Sequence, residues 1–161
     1  CMSVLHAFFG DARWSRISET IARHERAAIP QSHLMPTVQE CFGRLVSQQT
    51  AVITLLPGDV ATDVLEFHGL RVGQEIDVVV GRDPEMRPKP EPDGVIDACR
   101  ILGVAPGSAT MIGDSTWDAQ AALAAGSTFV GVPADGFEED IRERIATAPT
   151  MDLALQGLGL E

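Results

Sequence analysis

One pattern constrains the fold more than any other: short runs of β-branched and other apolar residues alternate with segments of helical period. Four runs are strong, at 50–55 (TAVITL), 76–80 (IDVVV), 109–112 (ATMI) and 128–132 (TFVGV), and a weaker one lies at 4–9 (VLHAFF). Nearly continuous apolar strands, rather than strands alternating with polar residues, are what a parallel sheet covered on both faces requires. Between them, 60–68 spaces Val60, Val64, Leu65 and Phe67 as a helix and ends at Gly69, and 93–102 repeats the scheme with Val95, Ile96, Cys99 and Leu102 before Gly103. An Ala-rich helix over 117–125 stops at Gly126, and 137–146 opens with acids and closes with arginines, as the helix dipole favours. Residues 15–28 read as a further helix and 30–36 as a connection, so the fold class is α/β, three layers with a parallel sheet flanked by helices.

Its 161 residues suit a single core domain over 1–161, with 15–35 as a residual cap or connecting helix. At 45% apolar and 22% charged residues the chain buries a core, which excludes disordered and fibrous classes. No apolar run approaches the roughly 20 residues of a membrane span. Arg13 is the first basic residue, so the N-terminus lacks a secretory charged region and the chain reads as cytoplasmic. Twelve basic against 23 acidic side chains, a net charge of −11, repel nucleic acid and anionic lipid. Cys1, Cys41 and Cys99 lack metal-ligand spacing and read as reduced thiols, and the four histidines share no ligand spacing.

In open parallel sheets ligands bind at the carboxyl ends of the strands, so the polar residues that stop an apolar run there draw attention. Thr54 sits near the end of TAVITL. The run ATMI leads into Gly113-Asp114-Ser115-Thr116-Trp117-Asp118, two carboxylates four residues apart at a strand-to-helix turn. Between them lies Arg87-Pro88-Lys89-Pro90-Glu91-Pro92, a proline-stiffened loop with the chain's only lysine. Asp114 and Asp118 suit Mg²⁺, which takes one or two carboxylates, waters and a substrate phosphate. Lys89 and Thr54 could supply the point charge and hydroxyl that a phosphate needs. Taken singly, Asp114 and Asp118 would be helix N-terminal acids, Lys89 a surface lysine and Thr54 a strand residue; together they read as a site.

Thr54, Lys89-Pro90 and the GDSxxD turn, in that order with the KPEPDG and AALAAGSTFVG stretches, resemble the haloacid dehalogenase superfamily near its phosphoglycolate-phosphatase-like branch. The resemblance runs from about Met35 to Gly136. It implies a Rossmann-like sheet of order 3-2-1-4-5 with little or no cap, and a Mg²⁺-dependent phosphatase acting on a small phosphorylated metabolite. On these positions it implies phosphate contacts from Thr54, Lys89 and Ser115, and metal ligation by Asp114, Asp118 and Asp11. It also implies a catalytic set of Asp11, Thr54 and Lys89, with Asp118 orienting the metal through water or holding Lys89.

The first motif of that family, Asp-x-Asp-Gly-Thr at the end of strand 1, has no match in this chain. The nearest string, Phe8-Phe9-Gly10-Asp11-Ala12-Arg13-Trp14, places Asp11 either at the acid/base position with Phe9 at the nucleophile, or at the nucleophile with Arg13 at the acid/base. Because an empty central slot would leave unpaired backbone in mid-sheet, residues 4–9 are expected to fill it as a degenerate first strand. The rival expectation is a piece of a longer chain whose first strand lies upstream. Three functions follow: a phosphatase, a non-catalytic binding or partner module, and a dehalogenase-like hydrolase, the last in keeping with Asp11 followed by Arg13. A homodimer or a complementing chain is the protein partner left open.

Overall fold

The structure, a computed structural model, describes residues 2–160. Two helices open the chain, α1 (Met2–Ala7) and α2 (Trp14–Ala28), and α3 (Val38–Arg44) follows a short 3₁₀ turn. The α/β alternation then runs β1 (Ala51–Pro57), α4 (Gly58–Phe67), β2 (Val78–Arg82), α5 (Asp93–Leu102), β3 (Thr110–Gly113), α6 (Thr116–Ala125) and β4 (Thr128–Gly131). It closes with α7 (Glu139–Arg142), β5 (Ala146–Thr147) and α8 (Met151–Gly157). Every strand pairing is parallel: β1 with β2, β3 with β4, and β4 with β5. The expected left-handed glycines end α5 and α6, Gly103 at φ 70° and Gly126 at φ 82°.

Helices cover both sheet faces. Ala119 and Ala122 of α6 pack with Phe129, Phe137 and Ile141. Val130, Val132 and Ala148 meet Ala154 of α8, so the apolar C-terminal tail lies on the sheet. Val95 and Cys99 of α5 meet Ala121, with Ile53 and Met111 packed against them. No helix among the described residues is long and apolar enough to cross a membrane.

The expectation for residues 4–9 is corrected: they do not form a strand, and 4–7 of the segment lie in α1. The segment finds partners both nearby and far along the chain. Leu5 is buried in the helical conformation, His6 meets Trp117 edge-on at 5.9 Å and Phe9 meets Trp14 at 6.0 Å. Gly10, at φ 79°, turns the chain toward α2. A short apolar run fits either period, and the neighbours that bury it decide between them. As a result β1 and β3 do not pair; β1-β2 and β3-β4-β5 are two separate ladders. The implied strand order survives on either side of an opening where the central strand would be.

Two further differences concern the C-terminal half and the region before β1. The helix expected over 137–146 shrinks to Glu139–Arg142, because Phe137 leaves the helix to pack on Phe129 with ring centroids 5.8 Å apart. The end of that segment becomes β5, continued by Ala148, whose N–H donates to the Gly131 carbonyl at 2.9 Å. Helix α3 was not legible. It buries Cys41 and is tied to the C-terminal tail by Arg44, which bonds Asp152 and, at 2.5 Å, the Leu160 carbonyl.

Gly131 has no room for a side chain: a Cβ there would lie 2.3 Å from Cε2 of Phe137. Gly131→Ala is therefore expected to destabilise the fold by about 1–3 kcal/mol, read as a lower midpoint in urea unfolding.

Candidate functional site

The carboxyl ends of β1 and β3 and the loop after β2 converge on one lysine. Arg87 fastens that loop: its N–H donates to Asp93 Oδ2 at 3.1 Å, its guanidinium reaches Asp93 Oδ1 at 2.7 Å, and it also pairs with Glu91 at 3.1 Å. Between those anchors Lys89 turns inward and is largely buried, its side chain 14% exposed. Its ammonium donates to Asp118 Oδ1 at 2.5 Å and to the Ile53 carbonyl at 3.3 Å. Burying a charge is costly unless it is paired and hydrogen-bonded, and this one is both.

Asp118 also holds the start of α6. Its Oδ2 accepts from the Ser115 hydroxyl at 2.5 Å and from the Ser115 N–H at 3.2 Å, while the Asp118 N–H donates back to Ser115 Oγ. This reciprocal cap satisfies donors that a helix start otherwise leaves open. It requires close approach of strand and helix, since a Cβ on Gly113 would lie 2.8 Å from the Asp118 Cβ.

Thr54 lines the same small recess as Lys89, together with Gly81, Asp83 and Met86. The β1-β2 register shifts between Ile53 and Pro57, and there Thr54 Oγ1 accepts from the Leu56 N–H at 3.1 Å. Asp114 directly follows β3, is exposed, and has no ion pair or side-chain hydrogen bond among the described residues.

Asp11 sits apart from this bonded group, in the turn between α1 and α2. It accepts from Arg13 three times, from N at 2.8 Å, Nε at 2.8 Å and Nη2 at 2.9 Å. These hydrogen bonds, led by the side chain, hold its carboxyl well below the usual carboxylate range. Thus Lys89, Asp118 and Ser115 form one bonded set with Thr54 on the same wall, Asp114 stands at the neighbouring strand end, and Asp11 is engaged elsewhere. No group of three or more His, Cys, Asp or Glu side chains is placed to hold a metal among the described residues. Both Asp118 oxygens are already bonded, which leaves Asp114 as the open carboxylate for a cation that also uses waters and a phosphate.

Sequence reasoning missed a second buried cation. Arg82, with its side chain 1% exposed, bonds the Ser18 hydroxyl at 2.9 Å, the Ser18 carbonyl at 3.0 Å, Glu25 at 3.1 Å and the Leu55 carbonyl at 2.8 Å. It ties α2 to the carboxyl ends of β1 and β2, beside the site. The available signal was an arginine closing the run VVVG, where an apolar strand gives way to charge.

Removing Asp118 would leave the Lys89 ammonium without its anion and α6 without its cap. Asp118→Ala is expected to cost about 2–4 kcal/mol in urea unfolding, and a double-mutant cycle with Lys89→Met should show coupling of more than about 1 kcal/mol. The loop anchor depends on pH. Hydrogen bonding from Arg87 lowers the folded-state pKa of Asp93, so its contribution is present above the unfolded carboxylate pKa and is lost as pH falls through the folded value. The protection factors of the Arg87, Lys89 and Glu91 amides, taken against the intrinsic exchange rate at each pH, should fall on acidification into that range, and Asp93→Asn should show the lower protection at neutral pH.

A family model described as haloacid dehalogenase-like hydrolase matches residues 6–132. The phosphoglycolate phosphatase of Escherichia coli (strain K12) is 33% identical over 101 residues, 62% of this chain and 39% of that protein. The chain thus spans about two-fifths of the length of this curated relative. A hydrolase from Pseudomonas syringae superposes with a TM-score of 0.75 at 27% identity, covering 92% of this chain and 71% of that one. A HAD phosphatase from Thermococcus onnurineus gives 0.69 at 26%, over 90% of this chain and 65% of that one. With the family model covering most of its length, residues 6–132, the chain belongs to the haloacid dehalogenase-like hydrolases.

Proposed function

We propose that the chain is the phosphate- and Mg²⁺-binding core of a cytoplasmic hydrolase acting on small phosphomonoesters. The observation that carries this reading is the one lysine, buried at the strand ends and fixed by Asp118, with the Thr54 hydroxyl on the same recess. Its ammonium already has its desolvation compensated, so it can meet a phosphate oxygen without reorganising. Ser115 at the start of α6 offers a third contact at a helix N-terminus. Asp114 would hold Mg²⁺ with waters and the phosphate, and the ion would supply charge neutralisation at the phosphoryl group. The phosphoglycolate phosphatase named among the relatives makes 2-phosphoglycolate a first substrate to try.

A second reading, a binding module without turnover, is favoured by the Asp11–Arg13 pair, which occupies the carboxylate of the candidate nucleophile. Calorimetry with Mg²⁺ and inorganic phosphate, run beside para-nitrophenyl phosphate turnover, separates the two. Phosphate binding weakened at least about tenfold in Lys89→Ala is expected under both. Turnover that is lost in Asp11→Asn supports the hydrolase; binding with no turnover supports the module. No phosphate binding by the folded chain overturns both.

A further inference from the structure

The peptide group that joins Leu55 to Leu56 is gripped from both sides. Its carbonyl, on Leu55, accepts from Arg82 Nη1 at 2.8 Å, and its N–H, on Leu56, donates to Thr54 Oγ1 at 3.1 Å. The group lies in an irregular stretch of the ladder: Ile53 pairs with Val80 and Pro57 with Arg82, so four steps along β1 run opposite two along β2. Extra residues of this kind lose their ladder partners, and side chains must take over if the backbone is to stay satisfied. Strand β2 crowds the stretch closely, since a Cβ on Gly81 would lie 2.8 Å from the Leu56 carbonyl and 2.3 Å from the Gly58 nitrogen.

Arg82 commits every donor to this arrangement. Its five N–H groups make five hydrogen bonds: Nε to the Ser18 hydroxyl, Nη1 to the Leu55 carbonyl and Glu25, Nη2 to the Ser18 carbonyl and Glu25. With its side chain 1% exposed and no donor left over, the guanidinium has nothing to offer a ligand directly, although it lines the same recess as Thr54 and Lys89. What it fixes is the direction of a planar amide. The Leu56 N–H points where that plane sends it, and Thr54 Oγ1 sits in front of it. A hydroxyl oxygen that accepts there turns its own hydrogen elsewhere, and that hydrogen has no acceptor among the described residues.

We propose that Arg82 is a positioning residue for the Thr54 hydroxyl, acting through the Leu55–Leu56 peptide, and that Ser18 and Glu25 of α2 hold it in place. The hydroxyl aimed in this way donates to a phosphate oxygen in the recess, a role that rests on the phosphate-binding reading given above. Helix α2 thereby bears on the site through a single guanidinium: when its grip is lost, the peptide is free to rotate and the Thr54 hydrogen no longer has one direction. The charge of Arg82 is offset by Glu25, so the contribution is one of geometry.

The test measures binding of inorganic phosphate by calorimetry, with Mg²⁺ present, for the whole chain, Arg82→Lys, Thr54→Val and the double variant, beside the protection factor of the Leu56 amide. Lysine keeps the cation beside Glu25 but cannot hold the Leu55 carbonyl and both Ser18 acceptors at once. Expected are phosphate affinity at least about threefold lower in Arg82→Lys, a fall in Leu56 protection with the Val130 amide of β4 unchanged, and no further loss of affinity when Arg82→Lys is added to Thr54→Val. The same loss in both backgrounds, or unchanged Leu56 protection, overturns the positioning role and leaves Arg82 a brace of the fold. If Arg82→Lys does not fold, Ser18→Ala, which removes the acceptor of the Nε–H, carries the same expectations with a smaller loss of affinity and is overturned by the same results. A wild-type chain that binds no phosphate overturns the proposed function and this role with it; intact binding that Arg82→Lys leaves unchanged overturns the present inference alone.

Discussion

The Lys89–Asp118 ion pair organises the carboxyl end of this molecule. Lys89 is brought there by a loop that Arg87 and Asp93 pin at its base, and it bridges to β1 through the Ile53 carbonyl. Asp118 bridges to the β3–α6 turn through Ser115. One ammonium thus links β1 to the start of α6 across the place where, among the described residues, no strand joins β1 and β3. A buried charge pair of this kind is weak evidence for stability in general, but it fixes register where backbone pairing is missing. The same pair leaves a positive centre poised between a hydroxyl and an open carboxylate, the chemistry a phosphate and its cation require.

The second constraint is the divided sheet. Parallel ladders are normally buried on both faces and rarely end in mid-sheet, because each unpaired amide there carries a desolvation cost. Here the two ladders keep the order they would have in one sheet, and α5 spans the gap on one face while α3 and α8 close the other. The structure is consistent at every level except at that opening between β1 and β3. A buried Arg82 linking α2 to both β1 and β2 extends the same logic: charged side chains brace the strand ends where backbone hydrogen bonds stop.

Much of the fold was legible. Four strands and the helices around Val60, Val95 and Ala121 follow from hydrophobic period and from glycine stops, which are local signals. What failed was context-dependent. The run VLHAFF suits a strand by composition, yet Leu5 and Phe9 find closer partners as part of a helical hairpin. Phe137 looked like the start of a helix, but the space above Gly131 claims its ring. Helix α3 carries only a faint pattern, and its burial comes from α8, more than a hundred residues later.

For the site, the sequence alone determined which groups are available: a lone lysine held between prolines, a threonine at a strand end, and a Gly-Asp-Ser turn with a second acid one helical turn on. Those choices are fixed by residue type and spacing, because capping and turn chemistry act within a few residues. Only the tertiary structure decided that Asp118 would spend its oxygens on Lys89 and Ser115, that Asp11 would be held by Arg13, and that two strand edges would face each other unpaired. Each of these depends on distances between segments far apart in the chain or on competition among several partners for one charge, and no local pattern encodes either.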